Sequence, residues 1–245
     1  MKILVCISVV PDTTTKITFK DNDTTFDKSS VQYILNPYDE LSLTRAIEIA
    51  EQNAGTVHTI SVGESDCDPI IRKALAIGAH EAYRVDAQPK NAPFVAHQIA
   101  SHVKSENYDL ILTGRESIDY NGGMVQGLLA ELLQWPLMNV ATKIDYSDQE
   151  ITACRDIDGG RENVKSSIPC VVSAQKDLCE PRIPNMRGIM MARSKPLNVI
   201  KAIDLPEFTE ITKYELPPSK TGVKLISAEN AEELIDILHN EEKLF

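Results

Sequence analysis

Residues 108–136 read YDLILTGRESIDYNGGMVQGLLAELLQWP, and the fold turns on how this stretch is parsed. Leu110 to Thr113 form a short apolar run of strand type, closed by Gly114. A polar loop with Asn121-Gly122-Gly123 follows, and then Val125, Leu128, Leu129 and Leu132 recur at the i, i+3, i+4, i+7 spacing of a helix stripe. A strand leading through a glycine loop into a helix is the unit of an open parallel sheet. In such sheets ligands sit outside the carboxyl ends of the strands, where helix N-termini offer unpaired N–H groups to anions. Glycines allow the backbone to approach a phosphate without a Cβ between them. Taken alone, the stretch is equally a glycine-bearing turn that holds no ligand.

The same alternation runs outward in both directions. Strand candidates are Ile3–Val9, Val57–Val62, Ala82–Val85 and Leu110–Thr113. Between the first two, Asn36-Pro37-Tyr38-Asp39 predicts a helix start with Asn as N-cap, Pro at N1 and Asp at N3, burying Leu43, Ala46, Ile47 and Ala50. Asp68-Pro69 opens a second helix that buries Ile71, Ala74 and Leu75 and stops at Gly78, and a third runs near Phe94–Val103. Strands alternating with helices predict a mostly parallel, doubly wound sheet with helices on both faces. After Trp135-Pro136 the period shortens. Asn139–Tyr146 and Glu150–Ile157 predict an antiparallel hairpin, Arg161–Ser166 a third strand after the Asp158-Gly159-Gly160 turn, and Cys170–Ala174 another buried strand.

From Leu178 to Lys195 the chain is broken by Pro181, Pro184 and Gly188 and carries Met186, Met190 and Met191, which suit either core filling or an adaptable contact surface. Leu205–Gly222 shows no period, and Ala231, Leu234, Ile235 and Leu238 mark a last amphipathic helix. The division expected is a nucleotide-binding α/β domain over 1–199 and a C-terminal arm over 200–245 that needs a surface to pack on.

Composition narrows the function. A net charge of −11 argues against nucleic acid, which requires clustered Lys and Arg. The opening apolar run is too short for a membrane span, so no membrane insertion and a cytoplasmic location are expected. Five cysteines without a CxxC pair read as free thiols. No Walker A, GxGxxG, HExxH or GxSxG motif occurs, and His97 and His102 stand at a spacing that does not share a helix face. Asp39, Glu40, Asp119 and Asp158 read as caps and turn residues. Neither a catalytic group nor a metal site is expected.

Nine segments also stand in a known order: ILVCISVVPD (3–12), NPYDELSLTRAIEIAE (36–51), SVG (61–63), IIRKALAIGAHEAYRV (70–85), DLILTGRESID (109–119), AELLQWP (130–136), RDIDGG (155–160), IPCVVSAQ (168–175) and EPRIPNMRGIMMARSKP (180–196). The chain resembles the beta subunit of electron-transfer flavoprotein over roughly its first 200 residues. The resemblance implies a Rossmann-like fold of the adenine-nucleotide hydrolase type. It implies an electron carrier rather than an enzyme, paired with an alpha subunit that holds the redox FAD, with a structural AMP in this chain. Flavin dehydrogenases such as acyl-CoA dehydrogenases would supply electrons, a quinone reductase would take them, and fatty acid beta-oxidation would be the setting.

By position, the resemblance implies an AMP pocket lined by Cys6, by Asn36, Pro37, Tyr38 and Asp39, and by Val62. Its phosphate-side loop would be Gly114, Arg115, Glu116, Ser117, Ile118, Asp119, Tyr120, Asn121, Gly122, Gly123, Met124 and Val125. Tyr38 and the loop at Asp12-Thr13 would approach the flavin. Glu180, Pro181, Arg182, Met186 and Ile189 would belong to a loop that docks on client dehydrogenases, and the C-terminal arm would embrace the alpha subunit. Many relatives carry an Asn-Gln-Thr-Gly-Gln-like stretch where this chain has Gly122 to Gln126, so phosphate contacts are expected from the backbone N–H groups of the Gly122-Gly123 turn. Two alternatives share the fold: a bifurcating type with a second FAD in place of AMP, for which Tyr120 and Met124 look obstructive, and a stand-alone ATP-binding or stress-type protein. An ATP-pyrophosphatase would need an SGGxDS-like loop after the first strand, where this chain has Ser8-Val9-Val10-Pro11-Asp12.

Overall fold

The computed structural model describes residues 1–206, 208–220 and 222–245. The aperiodic reading of Leu205–Gly222 extends over positions 207 and 221, which lie outside the described residues. The chain runs β1 (Lys2–Cys6), β2 (Val9–Pro11), β3 (Phe19–Lys20), β4 (Thr25–Phe26), β5 (Tyr33–Leu35), α1 (Pro37–Gln52), β6 (Thr56–Gly63), α2 (Asp68–Ile77), β7 (Glu81–Asp86), α3 (Ala92–Lys104), β8 (Leu110–Gly114) and α4 (Val125–Leu133). It continues through β9 (Leu137–Ser147), β10 (Glu150–Ile157), β11 (Gly160–Ser167), β12 (Cys170–Ala174), α5 (Met186–Ala192), β13 (Leu197–Lys201) and α6 (Ala231–Asp236).

Nine strands make one sheet in the order β11-β10-β9-β12-β8-β1-β6-β7-β13. Its centre is parallel, and β9, β10 and β11 extend one edge as an antiparallel meander. Alternation along the central strands separates two cores. Ile3 and Val5 of β1 pack with Leu43, Ala46 and Ile47 of α1 and Ile71, Ala74 and Leu75 of α2. Leu4 and Cys6 face the other way, onto Phe94, Ile99 and Val103 of α3 and Leu129 of α4. The sheet is therefore doubly wound, as its sequence alternation predicts, and full burial of each large apolar side chain in these cores, such as Ile3, Leu43 or Leu129, contributes about 1.5–3 kcal/mol. At the end of α2, Gly78 takes φ +153°, and a Cβ there would lie 2.8 Å from Ile47 Cδ1, so the predicted helix stop is also a close packing point.

Three expectations need correction. Ile3–Val9 is not one strand: β1 ends at Cys6, and Val9–Pro11 pairs instead with Tyr33–Leu35 in a separate antiparallel ribbon. The cause is Ser8, whose N–H turns out of the ladder to a side chain of α1. The third helix is longer than Phe94–Val103, because Asn91 caps it by accepting from Phe94 N. The last helix spans only Ala231–Asp236 and continues as a wider turn over Ile237–Glu241. Its Leu234 and Ile235 stay about half exposed. Among the described residues no helix is long and apolar enough to cross a membrane.

Candidate functional site: a crevice at the point where the strand order reverses

From β1 the chain winds to β6 and β7 on one side and then crosses to β8 on the other, so the order reverses between β1 and β8. Ligands of open α/β sheets bind outside the strand ends at such a point. The residues predicted for the site converge there. Cys6 closes β1, Val62 stands one residue before the end of β6, and Gly114 closes β8. The 115–123 loop leads on to the first turn of α4.

Asp39 holds the two sides of the crevice together. Its carboxylate accepts from Ser8 N at 2.7 Å and from Gly114 N at 2.9 Å, one bond to the chain leaving β1 and one to the end of β8. It is 4% exposed. Burial pushes its carboxyl up to about 7, against the opposing pull of the hydrogen bonds from Ser8, Asn36 and Gly114. Reading Asp39 as a simple cap or turn residue is thus wrong, since its oxygens serve backbone amides distant in sequence. Gly114 is required by the same contact: a Cβ would collide with Asp39 Oδ1 and lie 2.7 Å from Tyr38 Cβ.

Asn36 departs from its predicted role in the same way. It stands at the N-cap position but makes no side-chain cap. Fully buried, it donates to Glu116 O at 2.8 Å and accepts from Ile118 N at 3.3 Å, tying α1 to the loop after β8. Pro37 occupies the first helical turn as expected. Arg115 lies over the Tyr38 ring with its guanidinium carbon 5.3 Å from the centroid, and it pairs with Glu116 Oε2 at 3.0 Å and Gln175 Oε1 at 3.1 Å.

The glycine turn also differs from expectation. Ser117 and Gly122 exchange two backbone hydrogen bonds, at 3.2 and 3.1 Å, closing a small loop over Ile118, Asp119, Tyr120 and Asn121. Asp119 Oδ1 accepts from Tyr120 N, and Asn121 takes φ 49°. The Gly122 N–H is therefore committed to Ser117 and is not available to a phosphate. The first turn of α4, entered at Met124 and Val125, carries no side-chain cap, so its amides are the anion-facing groups. Tyr120 and Met124 are 68% and 57% exposed. Neither obstructs the crevice from within, and the size argument against a second FAD loses its basis.

A polar group missed in the sequence supports a ligand here. Thr113 is 5% exposed and its Oγ1 has no hydrogen-bond partner. Strand alternation puts it on the same face as Ile111, beside Cys6 and Val62, on the side covered by α3 and α4. A buried hydroxyl without a partner costs free energy that a bound polar molecule would recover. Reading Leu110–Thr113 only as an apolar run concealed it. Cys6 itself is not a reactive thiol: burial, and then the nearby Asp39 charge, push its ionisation far up. All five cysteines are free. Thr113, an uncapped helix start and a glycine-lined approach fit a nucleotide phosphate.

The docking residues lie elsewhere. Met186 opens α5 and is 74% exposed, with Ile183 at 86% and Met190 at 69%. Ile189, Glu180 and Pro181 share this exposed segment, so the methionines are surface rather than core filler. Beneath them the segment is held rigidly to α2. Arg72 Nη1 donates to Ala192 O and Lys195 O at 2.8 and 2.6 Å, and Lys195 Nζ donates to Leu75 O and Ala79 O. Arg182 is fixed by both oxygens of Glu51. A cleft of about 370 Å³ is lined by Ile183, Asn185 and Arg187 on this segment and by Ala76, Ile77 and Gly78 at the end of α2.

A Rossmann-like α/β domain with its crevice at the switch point, and an apolar segment displayed away from it, defines the class. Comparison with known proteins names the family. The Electron transfer flavoprotein domain matches residues 23–205. The chain is 33% identical to the electron transfer flavoprotein subunit beta of Bacillus subtilis (strain 168), covering 100% of both chains. It is 33% identical to that of Syntrophomonas wolfei, over 92% of this chain and 90% of the relative. To the human subunit beta it is 31% identical over 94% of each. The chain belongs to the electron transfer flavoprotein beta-subunit family.

Proposed function

We propose that this chain is the nucleotide-holding and donor-docking half of a heterodimeric electron carrier. An alpha subunit holds most of the redox FAD, and this chain carries a structural AMP in the β1/β8 crevice. Electrons come from flavin dehydrogenases such as acyl-CoA dehydrogenases and leave toward a quinone reductase, in the cytoplasm and in fatty acid beta-oxidation. The chain performs no covalent chemistry of its own. Within it, residues 1–199 are the nucleotide-binding domain, and 200–245 are the arm that packs on the alpha subunit.

The observation that carries this reading is the crevice itself. Asp39, Asn36 and Gly114 shape it, the uncapped start of α4 faces it, and Thr113 leaves a buried hydroxyl in it without a partner. The start of α4 offers its amides to one phosphate. The start of α1, also uncapped, has Pro37 without an N–H and carries Asp39 and Glu40 in its first turn. This balance favours AMP over the pyrophosphate of a second FAD. In such a complex these residues bind and orient the nucleotide, while α5 presents Met186 and Ile189 to the donor. The flavin, when bound to the alpha subunit, supplies the one- and two-electron chemistry.

Co-expression with the neighbouring alpha-type subunit, followed by denaturation and counting of released nucleotides, tests the reading. One FAD and one AMP per heterodimer are expected. Two FAD and no AMP would reassign the crevice to a bifurcating carrier. A colourless homodimer that hydrolyses ATP would overturn the carrier reading altogether.

A further inference from the structure

Behind the loop that faces the crevice runs a chain of hydrogen bonds, anchored on the buried Gln126 and Ser173, that touches no expected ligand. Gln126, in the first turn of α4, is 3% exposed, and its Nε2 donates to Arg115 O at 2.9 Å. The same nitrogen lies 3.5 Å from Asn139 Oδ1 on β9. Asn139 Oδ1 in turn accepts from Ser173 Oγ on β12, and Ser173 Oγ accepts from Val140 N at 2.7 Å. Ser173 is fully buried.

Two features show that this chain is built against a cost. Val140 takes φ +53°, a left-handed conformation that a β-branched residue adopts only under constraint. Such a conformation is held only where the surrounding structure over-determines it. It sits where the pairing of β9 with β12 shifts register between Val172 and Ala174. The bulge removes the Val140 N–H from the ladder, and the Ser173 hydroxyl takes it. Gly123 approaches closely at the other end: a Cβ there would lie 3.2 Å from Arg115 O.

We infer that Gln126, Asn139 and Ser173 are positioning residues for the phosphate of the nucleotide, an inference that rests on the nucleotide reading of the crevice. The Arg115 carbonyl lies beside the turn whose amides face the anion, and its partial negative charge opposes an anion. Gln126 draws that oxygen away and holds it, while Asn139 and Ser173 fix the strand ends beneath. The first turn of α4 and the 115–123 loop are thereby locked in one register, so the amides reach the phosphate without reorganising. Preorganised donors of this kind carry binding energy that mobile ones lose to ordering.

The test uses the heterodimer stripped of nucleotide, titrated calorimetrically with AMP and, separately, with adenosine. Ser173→Ala and Gln126→Leu are compared with Thr142→Val, which loses the Thr142 Oγ1 bond to Cys154 O on the antiparallel extension. The first two variants are expected to lose about 10-fold or more in AMP affinity, about 1.4 kcal/mol, while adenosine affinity stays within about 2-fold. Thr142→Val should change neither. If AMP and adenosine weaken together, the chain is merely structural and the inference fails. It fails equally if AMP affinity is unchanged in Ser173→Ala, the smaller substitution, which decides the matter should Gln126→Leu not fold. A wild-type heterodimer that binds adenosine and AMP equally, or neither, overturns the nucleotide reading itself, a result distinct from either variant outcome.

Discussion

Substituting Gly114 by alanine places one methyl group at the point where β8, α1 and the crevice meet. The added Cβ would collide with Asp39 Oδ1, lie 2.7 Å from Tyr38 Cβ and 3.0 Å from Asp39 N. Two of these three atoms belong to the backbone or its first side-chain carbon and cannot swing aside. Overpacking of this kind costs about 1–3 kcal/mol. The carboxylate is the one group able to move, and moving it loosens its bonds to Ser8 N and Gly114 N, for a further 1–3 kcal/mol or so. A total of about 4 kcal/mol corresponds to a fall of roughly 8–16 °C in Tm for a chain of this size. Gly127→Ala is the matched control, because a Cβ there meets nothing within 4 Å. In a helix interior alanine is favoured over glycine by about 0.5–1 kcal/mol, so that variant should melt slightly higher than the wild type. Thermal unfolding followed by circular dichroism separates the two, and repeating Gly114→Ala in an Asp39→Ala background should reduce its cost by about half. A Gly114→Ala protein melting within 2 °C or so of wild type would show that the clamp is looser than its contacts indicate, and the reasoning would be wrong.

Asp39 also sets a pH dependence. Its folded carboxyl is raised to about 7 from an ordinary value of 3.8. The stability it contributes is therefore complete below pH 3.8 and is lost as pH rises through 7. Asp39→Asn should flatten this slope, at most about 1.4 kcal/mol per pH unit, and an unaltered slope in urea unfolding would refute it. Burial instead lowers His58 and His102, both bonded to the Tyr108 hydroxyl, at 3.2 and 3.3 Å. Their contribution is present above pH 6.5 and lost as pH falls through their depressed values, so His102→Gln should blunt the acid-side loss seen by the same titration. Met186→Ala should reduce the kcat/KM for electron uptake from a donor dehydrogenase by roughly 30-fold, about 2 kcal/mol for an exposed apolar anchor, with nucleotide content unchanged. Donor kinetics equal to wild type would remove Met186 from the docking surface.

How much was legible in the sequence follows from the range over which each interaction acts. Strand and helix alternation, the Gly78 stop and the β9–β10 turn are local or periodic, and neighbouring residues suffice to write them. The exposure of the methionine segment was left open between core and surface until the fold placed it. The grouping of Cys6, Val62 and Gly114 came from the family resemblance, and the strand order β8-β1-β6 brings them together. What remained hidden was every bond made across the fold. Asn36 and Asp39 carry the side chains of caps, and a helix start offers a nearby use for them, yet both serve backbone N–H and C=O groups 31 to 82 positions away. Ser8 ends the first strand only because Asp39 draws its N–H aside. Gly122 loses its free amide to Ser117 once the loop closes, and Thr113 becomes an orphaned donor only when α3 and α4 cover its strand. Val140 adopts a left-handed backbone that its own residue type disfavours, because the Ser173 hydroxyl from another strand is there to receive its N–H. Periodicity along the chain determined which faces are buried; which polar groups meet inside them was decided by the tertiary structure, since a hydrogen bond depends on where its partner lies in space and not on its distance along the chain.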